Sequence, residues 1–100
     1  MKETLIIGSI VFTGSDEMKK KEVIETVTNY LDIDEHFIDI VGKEKIEEVQ
    51  FEFRNPSSHI NGWTMKKLQN YLLSQKEGGV VMNASIKLWY LAHPQKYIEI

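Results

Sequence analysis

Apolar residues recur along this chain in two rhythms, one of period two and one near 3.6, and the switches between them mark out its elements. Thr4 to Thr13 carries Leu5, Ile6, Ile7, Ile10, Val11 and Phe12 on both parities, the pattern of a strand buried on two faces. Gly8 and Ser9 inside it predict a bulge or a close backbone approach. Thr13–Gly14–Ser15 ends the strand, and Ser15 or Asp16 caps a helix. Val23, Ile24, Val27, Tyr30 and Leu31 share one face of that helix, which should stop near Leu31–Asp32.

Phe37 to Val41 reads as a second strand, stopped by Gly42. Ile46 to Arg54 reads as a third, after a hairpin turn over Gly42 to Lys45. Here the alternation is clean: Val49, Phe51 and Phe53 face a core, while Glu48, Gln50 and Glu52 face water. Asn55 to Gly62 is a loop by composition. A second helix begins near Trp63, presents Met65, Leu68, Tyr71 and Leu72 on one side, and ends at Gly78–Gly79. Val80 to Leu91 is the longest strand candidate, interrupted beyond its end by Pro94. Tyr97–Ile100 reads as a short return strand.

The order strand–helix–strand–strand–helix–strand corresponds to the split βαβ, or ferredoxin-like, arrangement. The expected fold is a two-layer α+β sandwich: a four-stranded antiparallel sheet with two helices on one face, and a short fifth strand left open at the C-terminus. By analogy with that fold the strands would lie in the order fourth, first, third, second. The other sheet face then has no helix over it. Its third-strand portion is acidic. On the first strand both parities are apolar, so Ile7 and Val11 belong to the open face under one choice. The last strand adds Val81, Trp89 and Leu91. Burial is worth roughly 25 cal/mol per Å², and a tryptophan offers about 150–250 Å². The half-face of Ile7, Val11, Val81, Trp89 and Leu91 is therefore expected to be covered, by a second copy, by a protein partner or by Tyr97–Ile100.

Composition narrows the classes. The chain has 100 residues, enough for one domain, 42% hydrophobic and 27% charged. Its net charge of -3 does not favour nucleic acid, whose binding rests on Lys and Arg. Lys19–Lys20–Lys21 sits among Asp16, Glu17 and Glu22 and reads as a solvated helix face. There is no cysteine, which removes disulfides, thiolate metal sites and cysteine catalysis. No segment reaches the ~20 apolar residues of a membrane span. The expectation is a cytoplasmic protein with neither nucleic-acid nor membrane partners.

Candidate chemistry is sparse. His36, His59 and His93 stand apart, without the close spacing that brings two ring nitrogens to one metal. Asp32, Asp34, Glu35 and His36 form an acidic cluster, but the glycine and the closing glutamate of a calcium loop are missing. RNA-recognition domains share the strand order and expose aromatics on their central strands. In this chain Phe51 and Phe53 occupy the only apolar face of their strand, so they should point inward. Acylphosphatases also share the strand order, with a basic loop after the first strand; no arginine lies between Thr4 and Lys21. No cofactor or metal is expected. The leading reading is a non-enzymatic binding or regulatory module that self-associates as a homodimer through its apolar half-face. The alternative is a small-molecule site or minor enzyme in the 55–63 loop, at His59, Asn61 and Trp63.

Overall fold

Both helices begin where a side chain takes up a free backbone N–H. Asp16 accepts from the Lys19 N–H at 3.2 Å and starts helix α1, Glu17–Leu31. Asn61 accepts from the Thr64 N–H at 3.0 Å and starts helix α2, Gly62–Glu77. The first helix closes on Asp32, a left-handed residue with φ 52°, whose N–H donates to the Thr28 carbonyl. In this computed structural model, which describes residues 2–42, 44–58, 60–92 and 97–100, the strands are β1 (Lys2–Phe12), β2 (Ile38–Val41), β3 (Glu48–Ser58), β4 (Val81–Tyr90) and β5 (Tyr97–Glu99). A single 3₁₀ turn, Glu35–Phe37, leads into β2.

The sheet has five strands in the order β2-β3-β1-β4-β5, every neighbouring pair antiparallel. The expected ferredoxin-like arrangement is therefore present, with β5 added beside β4. The C-terminal strand thus lengthens the sheet rather than folding over its open face. Even-numbered residues of β1 point toward the helices: Ile6 and Ile10 are fully buried, Phe12 nearly so. They meet Val23, Val27 and Leu31 of α1, Met65, Leu68 and Leu72 of α2, and Ile86 and Leu88 of β4 in one core. Phe51 is buried and Phe53 packs at the core margin, so neither aromatic is displayed on the open face.

Gly8 marks a close approach, with regular pairing on both sides rather than a bulge. It stands directly across from Phe51, and the Phe51 ring fills the space a side chain would take. The bulges lie at the strand ends. One falls in β3 between the pairs Thr4↔Asn55 and Lys2↔Ser58. It lets the strand run on through Pro56, where composition had suggested a loop; a bulge is one of the few sheet positions that tolerates proline. The other falls in β4, between Val11↔Asn83 and Phe12↔Val81. The extra residue there turns Val81 to the core side, where it is 2% exposed, and leaves Met82 outside.

Lys20 also departs from the expected solvated face. It lies one turn before Val23 on the buried stripe and is 3% exposed, its ammonium donating to Glu17 at 3.1 Å. The other oxygen of Glu17 accepts the Ile46 N–H at 2.8 Å, tying α1 to the segment before β3. That backbone hydrogen bond, and then the Lys20 ammonium, hold the Glu17 carboxyl below its ordinary value of 4.5. A carboxyl whose value falls on folding stabilises the fold above its unfolded value; that stabilisation is lost as pH drops through the lowered folded value. Acidification should therefore release the Ile46 amide, seen as a fall in its protection factor once the slower intrinsic exchange in acid is divided out, and Glu17→Gln should remove this pH dependence. A protection factor that holds in acid would mean the tie does not hold the segment.

The helix side also carries a polar row. Thr4 is flanked in register by Asn55 and Tyr90, and Tyr90 donates to the Ile60 carbonyl at 3.3 Å. The Thr4 hydroxyl is buried with no hydrogen-bond partner. An orphaned buried hydroxyl costs about 1–3 kcal/mol. Thr4→Val, similar in shape, should raise the unfolding free energy by about 1 kcal/mol in a denaturant titration; a fall would show that the hydroxyl is bonded in solution.

Candidate interaction surface

The helix-free face can be read row by row from the strand register. Leu5 stands between Arg54 and Trp89, Ile7 between Glu52 and Lys87, Ser9 between Gln50 and Ser85, and Val11 between Glu48 and Asn83. Arg54 pairs with Glu3, tying the third strand to the first. The apolar part of this face is thus one strand wide, with Trp89 at one end. Val81 is not on it, because the β4 bulge turns that side chain inward. Leu91 lies in the turn after β4, its N–H donating to the Glu3 carbonyl at 3.0 Å. Val11 and Trp89 are half-buried, and Ile7 is 40% exposed. The half-face expected from the sequence is therefore narrower and better covered than its pattern suggested.

The 55–63 loop resolves differently again. Asn61 spends its carboxamide oxygen on the Thr64 N–H and hydroxyl, as a helix cap. Trp63 is 66% exposed and carries the Lys67 ammonium 3.7 Å above its ring. His59 lies outside the described residues, as does His93. Asp34 of the acidic cluster accepts the His36 N–H at 3.0 Å and pairs with the His36 ring at 2.6 Å on the surface; the backbone hydrogen bond first, then the ring, lower the Asp34 value, and the pair raises that of His36. Among the described residues no group of three or more His, Asp or Glu could hold a metal ion. Among the described residues no helix is long and apolar enough to cross a membrane. The cleft between α2 and β4, lined by Leu72, Leu73, Val81 and Ile100, holds about 100 Å³, while more open ones beside β2 and on the helix-free face hold about 250, 360 and 440 Å³. Usual ligand sites hold roughly 300–1,000 Å³, so the narrow cleft is too small and the wider ones lie open on the surface.

The surface that sequence reasoning passed over is the β2 margin. β2 is one of the two edge strands, with β5 at the far side, and among the described residues nothing pairs with its outer edge. Phe37 is 51% exposed, Ile40 41% and Val41 45%. Phe37 is held edge-on against Phe53, ring centres 4.9 Å apart, so it is fixed while still facing solvent. Ile38 and Ile40 face the helix side but overhang α1, forming a shallow groove with Lys21, Ile24, Glu25 and Glu35. A signal was present in the sequence: Phe37 to Val41 is apolar on both parities with Asp39 as its only charge, while its neighbour β3 has a single apolar face.

No family model, curated protein or solved structure matches the chain.

With no relative to lend a role, the arrangement itself limits the chemistry. Among the described residues the ionisable groups that meet one another do so in ties: Glu17 with Lys20 and the Ile46 N–H, Asp34 with His36, Arg54 with Glu3, Lys87 with Glu99. These are caps and clamps. What the surface does offer is unpaired sheet edge flanked by fixed apolar side chains.

Proposed function

We propose that this protein is a non-enzymatic binding module that joins another polypeptide through the β2 margin of its sheet. The observation that carries the reading is Phe37, in the turn that enters β2, together with Ile40 and Val41 on the strand itself, each more than two-fifths exposed, at a sheet edge with which no described strand pairs. Exposed edges of this kind are usually blunted by charge, proline or a covering loop. Here one aspartate does that work, and an added strand would satisfy the free N–H and C=O groups while covering the apolar side chains. The helix-free face around Ile7 is a secondary surface continuous with this margin.

Site-specific photo-cross-linking in the producing cell tests the reading. A photoreactive residue at position 37 should give discrete protein adducts, and one at position 18, where Met18 is 82% exposed, should give none. Adducts at position 7 alone would move the contact to the helix-free face. Equal or absent adducts at 37 and 18 would overturn a binding role for the β2 margin.

A further inference from the structure

We infer that the polypeptide received by the β2 margin is an extended segment in which basic residues alternate with apolar ones. The inference rests on the reading of β2 as a contact edge and names the chemistry of its occupant.

β2 offers two different sides to a strand laid along its outer edge. Side chains alternate between those sides, so an added strand must alternate in step with them. On the helix side Ile38 and Ile40 look over Ile24 of α1, in the groove whose charges are Lys21, Glu25 and Glu35. That side is apolar at its centre and mixed at its borders. On the open side β2 carries Asp39 and Val41, in register with Gln50 and Glu48 of β3. Glu52 continues the β3 column, opposite Ile7. Asp39, Gln50 and Glu52, with Ile7 and Ser9, line an open depression of about 360 Å³.

The carboxylates of the open side are left without cations. Arg54 and Lys87 of the same face are already engaged, with Glu3 and Glu99. Among the described residues no ion pair reaches Asp39, Glu48 or Glu52. An acidic segment would crowd more carboxylates onto this rim, and a second copy would bring Asp39 and its acidic neighbours there again. A basic segment complements it. Its apolar parity covers Ile24, Ile38 and Ile40, and its basic parity lies beside Asp39 and Val41. β3 is two strand spacings from the added strand, about 10 Å, a gap that an extended lysine or arginine and a glutamate span together. The methylene stems cross Val41 and the charged heads reach Glu48 and Glu52. Ladder hydrogen bonds hold the segment, and the alternation with its charge selects it.

The probe is a fluorescein-labelled peptide of seven residues alternating lysine and valine, followed by fluorescence anisotropy. It should bind the whole chain with an affinity that falls as salt rises. Three comparisons carry the test. A peptide of the same composition with its lysines and valines in two blocks should bind about tenfold more weakly, and one alternating glutamate and valine should not bind. Asp39→Lys should weaken the lysine–valine peptide about fivefold, and Asp39→Lys with Glu52→Lys about twentyfold, with the circular dichroism unchanged. Bound peptide should slow hydrogen exchange at amides of Ile38–Val41 and leave those of α2 as they were. No binding of the lysine–valine peptide, equal binding of the block or glutamate peptide, or indifference to both lysine variants would each overturn the basic segment. A mass that rises with concentration from 11.6 kDa toward twice that, with β2 amides protected in step and no peptide bound, would overturn it in favour of a second copy. Photo-adducts at position 37 in any of these cases would leave β2 standing as a contact edge with another occupant, whereas their absence would remove the edge itself.

Discussion

Gly8→Ala is expected to lower the unfolding free energy by about 1–2 kcal/mol, and Phe51→Leu in the same chain to return much of that loss. Gly8 lies in the middle of the central strand, opposite Phe51. A methyl placed there would stand 2.7 Å from Phe51 Cε2, nearer still to Cζ, and 3.1 Å from Ile86 Cγ1. All three atoms belong to side chains in the packed core, so relief requires the ring to turn against its neighbours. Alanine also narrows the unfolded ensemble, a gain of about 0.4–1 kcal/mol that offsets part of the strain. Phe51→Leu alone leaves a void and should cost about 1–2 kcal/mol, less than full truncation to alanine. Together the new methyl enters the space the ring has left, and the two costs should fail to add by about 1 kcal/mol. Urea titrations of the wild type, both single variants and the double variant give the cycle. Simple additivity would show that the ring is not what Gly8 accommodates.

Leu68→Ala should be the more damaging single change, costing about 2–5 kcal/mol. Leu68 is fully buried and sits one turn from both Met65 and Leu72 on the face by which α2 holds the sheet. Truncation removes both the transfer free energy of the side chain and its contacts, and the sheet beneath cannot easily collapse into the gap. Leu73, the neighbour of Leu72 on the same helix, is 52% exposed. Leu73→Ala should change the unfolding free energy by no more than about 0.5 kcal/mol in the same titration. Similar losses at 68 and 73 would mean that α2 is rotated from the placement described here.

These contrasts show which parts of the fold were readable from sequence. The stripes through Val23, Val27 and Leu31 and through Met65, Leu68 and Leu72 repeat at helical spacing, so each helix declares its buried face. The alternation from Val49 to Phe53 does the same for β3. Bulges leave no such mark. A single inserted residue at the start of β4 reverses the face of Val81, and the period-two rule carried that residue to the wrong side. Asn55 to Ser58 is turn-like in composition, yet it pairs with the start of β1, because a long-range partner outweighs local preference. The β2 margin was hidden for another reason. A run such as Ile38–Asp39–Ile40–Val41 looks like any buried strand until strand order places it at the rim. Asn61 was legible as a loop residue, but capping, its role here, depends on where the helix starts.

The position of β1 bears on how the chain reaches this structure at all. The strand sits between β3 and β4, so Ile10 must find Val49 on one side and Ala84 on the other. Such distant pairings are slow to form, because the intervening loop must be closed before the contact gives anything back. During synthesis β1 leaves the ribosome before the four strands it joins, and its second neighbour is complete only when Tyr90 has been added. Thr4 to Thr13 contains no charge and no proline, the makeup of a segment prone to stack on its own kind. The strand most sheltered in the finished fold is thus the one left longest in the open, and the yield of soluble chain should depend on how quickly β4 arrives to close over it.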